Sequence, residues 1–89
     1  MTVDILNAHI KNGDLVIDLR NKDEYIKNHI DGVINIKYEN ILSTIKNYTN
    51  DKNKKIFLFC SNGIKSKIAY NLLTSFGYTN VVNLGKINL

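Results

Sequence analysis

A chain of 89 residues can enclose one hydrophobic core but not two, and a composition of 44% apolar and 22% charged residues excludes a fibrous or disordered protein. The single cysteine excludes an intramolecular disulfide, and no apolar run approaches the length of a membrane span. The formal charge of +4 arises from eleven Lys and one Arg against eight acids, and it disfavours no small anionic ligand.

In chain order, Thr2 can cap a short helix that carries Val3, Leu6 and Ile10 on one face and ends at Gly13. LVIDL (15–19) is a short apolar run of the kind found in buried parallel strands. NKDEYIKNH (21–29) has its acids early and Lys27 and His29 late, the charge order that a short helix favours. GVINI (32–36) reads as a second strand. In YENILSTIKNY (38–48), Ile41, Leu42, Ile45 and Tyr48 recur at helical spacing. TNDKNKK is a polar loop, and IFLFC (56–60), the most continuously apolar run, is expected to be the central strand. From Ser66 to Phe76 the pattern is again helical: Ile68, Ala69, Leu72, Leu73 and Phe76 share a face, and Gly77 stands just past the end. VVNL (81–84) is the last strand.

Helices alternating with short buried strands predict one α/β domain over residues 1–89, with a central parallel sheet of four or five strands covered on both faces. In such sheets reactive groups gather beyond the carboxyl ends of the strands. Cys60 is at one such end, and Asp18, Leu19 and Arg20 are at another.

A lone Cys closing an apolar strand is, by itself, core filler. Its surroundings argue otherwise. Only SNGIK separates the strand from the helical pattern, and Gly63 in the middle permits a positive φ or a close backbone approach. So tight a loop turns successive N–H groups inward as a nest, and the helix behind it adds free N–H groups and a positive dipole end. The dipole contributes roughly 0.3–1 kcal/mol, so a sizeable shift requires direct N–H bonds to the sulfur, with Lys65 a further contributor. The expected pKa of Cys60 lies below the free value of about 8.5.

VIDLRNKDEYIKNHIDGVINI followed by IFLFCSNGIKSKIAYNLLTSFGYTNVVNL resembles the single-domain rhodanese-like sulfurtransferases over nearly the whole chain. The first segment matches D-x-R-x-x-x-E-[YF]-x-x-x-H-I-x-G-[AS]-x-[NH]-I, with Val33 at the small-residue position. The second matches C-x-x-G-x-[RK]-S with G-[YF]-x-x-V behind it. The resemblance implies the three-layer rhodanese-like fold and an enzyme that carries sulfur as a Cys60 persulfide, without a cofactor. Sulfane sulfur would pass from thiosulfate or another persulfide donor to cyanide or a thiol. It also implies a substrate cradle built from the backbone of Ser61, Asn62, Gly63, Ile64, Lys65 and Ser66, with Lys65 where many members have Arg. The six residues from Cys60 to Lys65 match the sulfurtransferase loop; related phosphatases use a longer loop ending in Arg, and position 66 is Ser. Departures from the pattern include Asn28 for Gly, Asp31 for Pro, and neutral Ser61 and Asn62 where dedicated thiosulfate enzymes carry basic residues. The alternative function is a non-catalytic or sulfur-carrier module that binds a protein donor or acceptor.

Arg20 is a candidate donor-binding residue; its other reading is a structural network with Asp18, and Glu24 stands at ion-pair spacing from it. His29 reads as a turn residue before the second strand. His9 has no partner suggested by spacing, and two His with one Cys have no metal-ligand spacing. Lys52, Lys54 and Lys55 lack interleaved exposed aromatics, so they read as a solvated surface and neither nucleic acid nor membrane is expected as a partner. The first residues lack the layout of a signal peptide, which makes the reducing cytoplasm the expected compartment. A protein this small around its nucleophile is also expected to leave the pocket open.

Overall fold

A computed structural model describes residues 2–89. Helix α1 (Val3–Lys11) starts at Thr2, whose side chain accepts from the Ile5 N–H, and it leads into β1 (Leu15–Asp18). Helix α2 (Lys22–Lys27) and β2 (Ile34–Asn35) follow, then one turn of α3 (Ile41–Thr44), β3 (Ile56–Cys60), α4 (Ile64–Ser75) and β4 (Val81–Lys86).

Among the described residues, four strands form one parallel sheet in the order β2-β1-β3-β4. This is the expected architecture, and β3 is an inner strand buried along its whole length. The period of two along β3 divides the core. Ile56, Leu58 and Cys60 face α3 and α4, together with Ile17, Ile41, Ile45, Ala69 and Leu73. Phe57 and Phe59 point to the opposite face, where they pack with Leu6 of α1, Val16, Ile30 and Val33. The sulfur of Cys60 is therefore committed to the α4 side of the sheet before any loop geometry enters. The last strand runs two residues beyond the expected VVNL segment. A register shift opposite Leu58/Phe59 lets it pair Gly85 with Phe59 and Lys86 with Cys60.

Three expected helices differ in extent, and the first of them, α2, stops at Lys27, short of His29. The 38–48 segment is not a continuous α-helix: 3₁₀ turns at Tyr38–Asn40 and Ile45–Asn47 flank the single turn of α3. Asn40 leaves helical geometry at φ −101°, ψ 9°, and the Ser43 hydroxyl donates to its carbonyl at 3.1 Å, a local bond that competes with helix propagation. Burial of Ile41 and Ile45 holds the segment in place, while Tyr48 is exposed. Helix α4 starts two residues earlier than its apolar pattern indicated. Its buried stripe is Ser66, Ala69 and Leu73, so Ile68 and Phe76 fall outside it and are exposed. Small residues at 66 and 69 bring the helix close to β3, which narrows the face it can bury.

Gly32 closes the turn before β2 with φ +89°, and a Cβ there would lie 2.8 Å from Ile10 Cγ2 of α1. Gly32→Ala is expected to destabilise the protein by at least about 1–2 kcal/mol, the left-handed backbone penalty alone. Urea unfolding would register this as a lower midpoint at unchanged slope; an unchanged midpoint would contradict the assigned turn.

Candidate active site

Strand β3 delivers Cys60 to the carboxyl edge of the sheet, and only Ser61, Asn62 and Gly63 separate it from α4. Gly63 adopts φ +83°, left-handed geometry that reverses the chain in so short a span. A Cβ there would have as its nearest neighbour only the Lys86 nitrogen at 4.0 Å, so the requirement for glycine is conformational. The turn aims the Gly63 N–H at Cys60 Sγ at 3.0 Å, and the first turn of α4 adds the Ser66 N–H at 3.4 Å. Neither N–H has an intrahelical acceptor, since both belong to the free start of the helix.

The electrostatic balance at the sulfur has two sides. Burial, the largest influence, pushes the thiol pKa up, because a covered anion loses its water. Hydrogen bonding from the Ser66 hydroxyl and N–H, and from the Asn62 and Gly63 N–H groups, opposes it and leaves the pKa below its ordinary value. The Ser66 hydroxyl donates to the Gly63 carbonyl at 3.2 Å, so its one proton serves either that oxygen or an ionised sulfur. Lys65 is not among the groups that lower the Cys60 pKa.

The loop residues expected in the cradle do not act alike. Gly63 and Ser66 bond directly to the sulfur, whereas the Ile64 N–H is turned onto the Asn62 Oδ1 at 3.0 Å. That same oxygen is 3.8 Å from Sγ, a placement that suits a thiol donor and opposes a thiolate. Ser61 is exposed, and Lys65 reaches away across the cleft to the Asn21 Oδ1 at 2.7 Å. The expected open pocket around the nucleophile is not found. Cys60 is only 1% exposed, because the loop curls tightly enough to enclose the atom it serves.

Arg20 pairs with Asp18 rather than with Glu24. Its Nε lies 3.1 and 3.0 Å from the two carboxylate oxygens, Nη2 lies 2.8 Å from Oδ2, and Nη2 also donates to the Asn28 carbonyl at 2.7 Å. Asp18 further accepts the Arg20 N–H, and the Asn35 amide ties the carbonyls of Asp18 and Arg20 to β2. Both charged groups are buried, so each needs the other. The arrangement is a brace at the end of β1. Glu24 instead accepts the N–H of Asn21 at the start of α2. His29 stacks on Tyr25 at a ring-centroid distance of 4.0 Å, and His9, which does have a partner, contacts Asp14 at 2.8 Å.

Beside the loop, at the carboxyl ends of β1 and β2, lies a cleft of about 530 Å³ lined by Arg20, Lys22, Lys37, Tyr38 and Lys65 among others. Lys22, Lys37 and Tyr38 were not singled out by sequence reasoning for this edge. The available signal was positional, since Lys37 and Tyr38 directly follow the second expected strand. Among the described residues, no group of His, Cys, Asp and Glu is arranged to hold a metal ion, and no helix is long and apolar enough to cross a membrane.

A parallel sheet that presents a cysteine inside a glycine-hinged nest at a helix start defines a class of α/β domains with a loop cysteine. The particular family is given by comparison: residues 2–86 match the model of the rhodanese-like domain, and the chain belongs to that family. It is similar to the thiosulfate sulfurtransferase PspE of Escherichia coli K12, with 35% identity over 69 residues, covering 78% of this chain. The match covers 66% of PspE, so the chain spans just under two thirds of that relative. An E. coli rhodanese solved with anions superposes with a TM-score of 0.76 at 33% identity, over 82% of this chain and 86% of the other. The human single-domain sulfurtransferase TSTD1 shares the fold, with a TM-score of 0.75 at 20% identity over 99% and 89% of the two chains.

Ser66→Ala removes a donor that favours the ionised sulfur, so the Cys60 pKa should rise. The nucleophile is the deprotonated form, and the pH–rate profile for alkylation should therefore move to higher pH, by roughly one to two units if one full hydrogen bond to charge is lost. A profile that stays in place, or moves to lower pH, would contradict the assigned role.

Proposed function

We propose that the chain is a rhodanese-type sulfurtransferase in which Cys60 carries sulfane sulfur as a persulfide. The observation that carries this reading is the convergence of two main-chain N–H groups, from Gly63 and Ser66, on the sulfur of the one cysteine. The family membership and the likeness to PspE support it.

The first half-reaction uses the thiolate that these donors favour. Cys60 Sγ attacks the outer sulfur of thiosulfate, the S–S bond of the donor breaks, and its electron pair leaves with sulfite, so that Cys60 holds the persulfide anion. In the second half-reaction cyanide or a thiolate attacks the outer persulfide sulfur, and the breaking bond returns its pair to Cys60 as thiolate. Both resting and loaded states are anionic, the charge lying on Sγ in the first, where the Gly63 and Ser66 N–H groups end, and one sulfur further out in the second. The remaining cradle positions, Ser61, Asn62, Ile64 and Lys65, would act on the incoming donor once the loop admits it. Arg20 enters as a positioning residue, because its Nε and Nη2 are already engaged by Asp18 and Asn28.

A second reading, a sulfur carrier or binding module loaded by a protein partner, is favoured by one observation. At 1% exposure the sulfur is enclosed, and Ser61 and Asn62 present no positive charge to draw a small donor in. A macromolecular donor could hold the loop open in a way that thiosulfate cannot.

Incubation with thiosulfate is expected to add the mass of one sulfur to the intact protein, and subsequent cyanide to remove it as thiocyanate. Cys60→Ser should abolish both steps. Loading by a cysteine desulfurase without loading by thiosulfate would select the carrier reading, and failure of every donor to load Cys60 would overturn both.

A further inference from the structure

The geometry points to Asn62–Gly63 as a site of self-deamidation, in which the groups that surround Cys60 also promote a covalent change of their own loop. The inference needs only an ionised Cys60 and stands whether or not sulfur is transferred. Asparagine is a labile side chain, because the next backbone nitrogen can attack its carboxamide carbon and close a succinimide. The chain has two Asn–Gly pairs, Asn12–Gly13 and Asn62–Gly63, in which glycine leaves that nitrogen unhindered.

At Asn62 the electrophile is already polarised. The Ile64 N–H donates to its Oδ1 at 3.0 Å, so a fixed donor stands where negative charge develops on attack. Holding that oxygen on Ile64 also keeps Cγ beside the intervening Gly63 nitrogen. The nucleophile has a base. The Gly63 N–H points at Cys60 Sγ at 3.0 Å, within reach for proton transfer to a thiolate. Asn62 is exposed, so water can enter and ammonia can leave. The other pair lacks this arrangement: Asn12 has helical φ −76° and ψ −5°, and the Gly13 N–H donates at 3.0 Å to the Ile10 carbonyl, a far weaker base than a thiolate.

The Gly63 nitrogen attacks Asn62 Cγ, its proton passes to Sγ, and the C=O electron pair moves onto Oδ1. When that carbonyl re-forms, the Cγ–Nδ2 bond breaks, and Nδ2 leaves as ammonia with the proton returned from Sγ. Water then opens the succinimide at either carbonyl and leaves an aspartate or an isoaspartate at position 62. Cys60 is regenerated as thiolate, and only water is consumed. Both products disarm it. A carboxylate in place of an amide oxygen 3.8 Å from Sγ disfavours a second anion there. The isoaspartate adds a backbone methylene between Cys60 and Gly63, which draws the Gly63 N–H off the sulfur.

The test follows both Asn–Gly pairs in one sample of folded protein at neutral pH, by peptide mass spectrometry with enzymatic methylation to report isoaspartate. Asn62 should deamidate faster than Asn12, and unfolding in urea, which parts the sulfur from Gly63, should bring the two rates together. Cys60→Ala should lower the ratio of the Asn62 rate to the Asn12 rate about tenfold or more, short of the roughly 100- to 10,000-fold of an optimised general base. Where that variant fails to fold, reversible methylthiolation of Cys60 supplies the same loss, and reduction should restore the ratio. A ratio that loss of the free sulfur does not lower, or one that is equal in folded and unfolded protein, overturns the proposal. The aged fraction, separated by ion exchange, should alkylate Cys60 more slowly than fresh protein, with Asn62→Asp reproducing the slower rate and Asn62→Gln holding its rate through ageing. An aged fraction that alkylates at the fresh rate overturns the disarming of Cys60.

Discussion

The site depends on a contest at one atom. Enclosing a sulfur disfavours its anion, and here the enclosure is nearly complete, yet the N–H groups of Gly63 and Ser66 end on that same sulfur at 3.0 and 3.4 Å. A hydrogen bond to a charged group contributes about 1.5–3 kcal/mol, which places two such bonds on the scale of the desolvation they oppose. The helix dipole alone would be too weak, at roughly 0.3–1 kcal/mol. The covering of the sulfur and its ionisation are therefore linked: the curl that shields Cys60 from water is the curl that brings the amides to it.

The rest of the fold serves that curl. Alternation along β3 sends Cys60 to the α4 face, and the small side chains of Ser66 and Ala69 let the helix start close above the strand. Gly63 at φ +83° makes a three-residue connection possible. The Asp18–Arg20 brace bonds the neighbouring strand end to the Asn28 carbonyl, while Lys22 and Lys37, which line the adjoining cleft, remain exposed. A buried ion pair and exposed, loosely paired lysines thus stand side by side at one sheet edge.

Much of this was legible in the sequence because it depends on short-range rules. The parallel sheet follows from short apolar runs between helical patterns, and the nest follows from a Cys, a nearby Gly and a helix start. What escaped depends on tertiary contacts. The interruption at Asn40 comes from local side-chain bonding that a periodicity count does not register. Ile68 and Phe76 matched the apolar spacing of α4, yet the narrow stripe through Ser66 left them exposed. The structural reading of Arg20, a network at the end of the first strand with Asp18, is the one found, since two residues apart on an extended strand end the two side chains face the same side; the ion-pair spacing to Glu24 is not used, because Arg20 precedes α2. The diversion of the Ile64 N–H to Asn62, and the direction of Lys65 across the cleft, are side-chain choices that no motif specifies.

The most direct measurement is the ionisation of Cys60 itself, followed by ultraviolet thiolate absorbance across pH in the folded protein and again in urea. The folded protein should titrate below the free-thiol value of about 8.5, and the unfolded chain should return to it. A folded-state midpoint equal to or above the unfolded one would mean that burial, and not the converging amides, governs the sulfur.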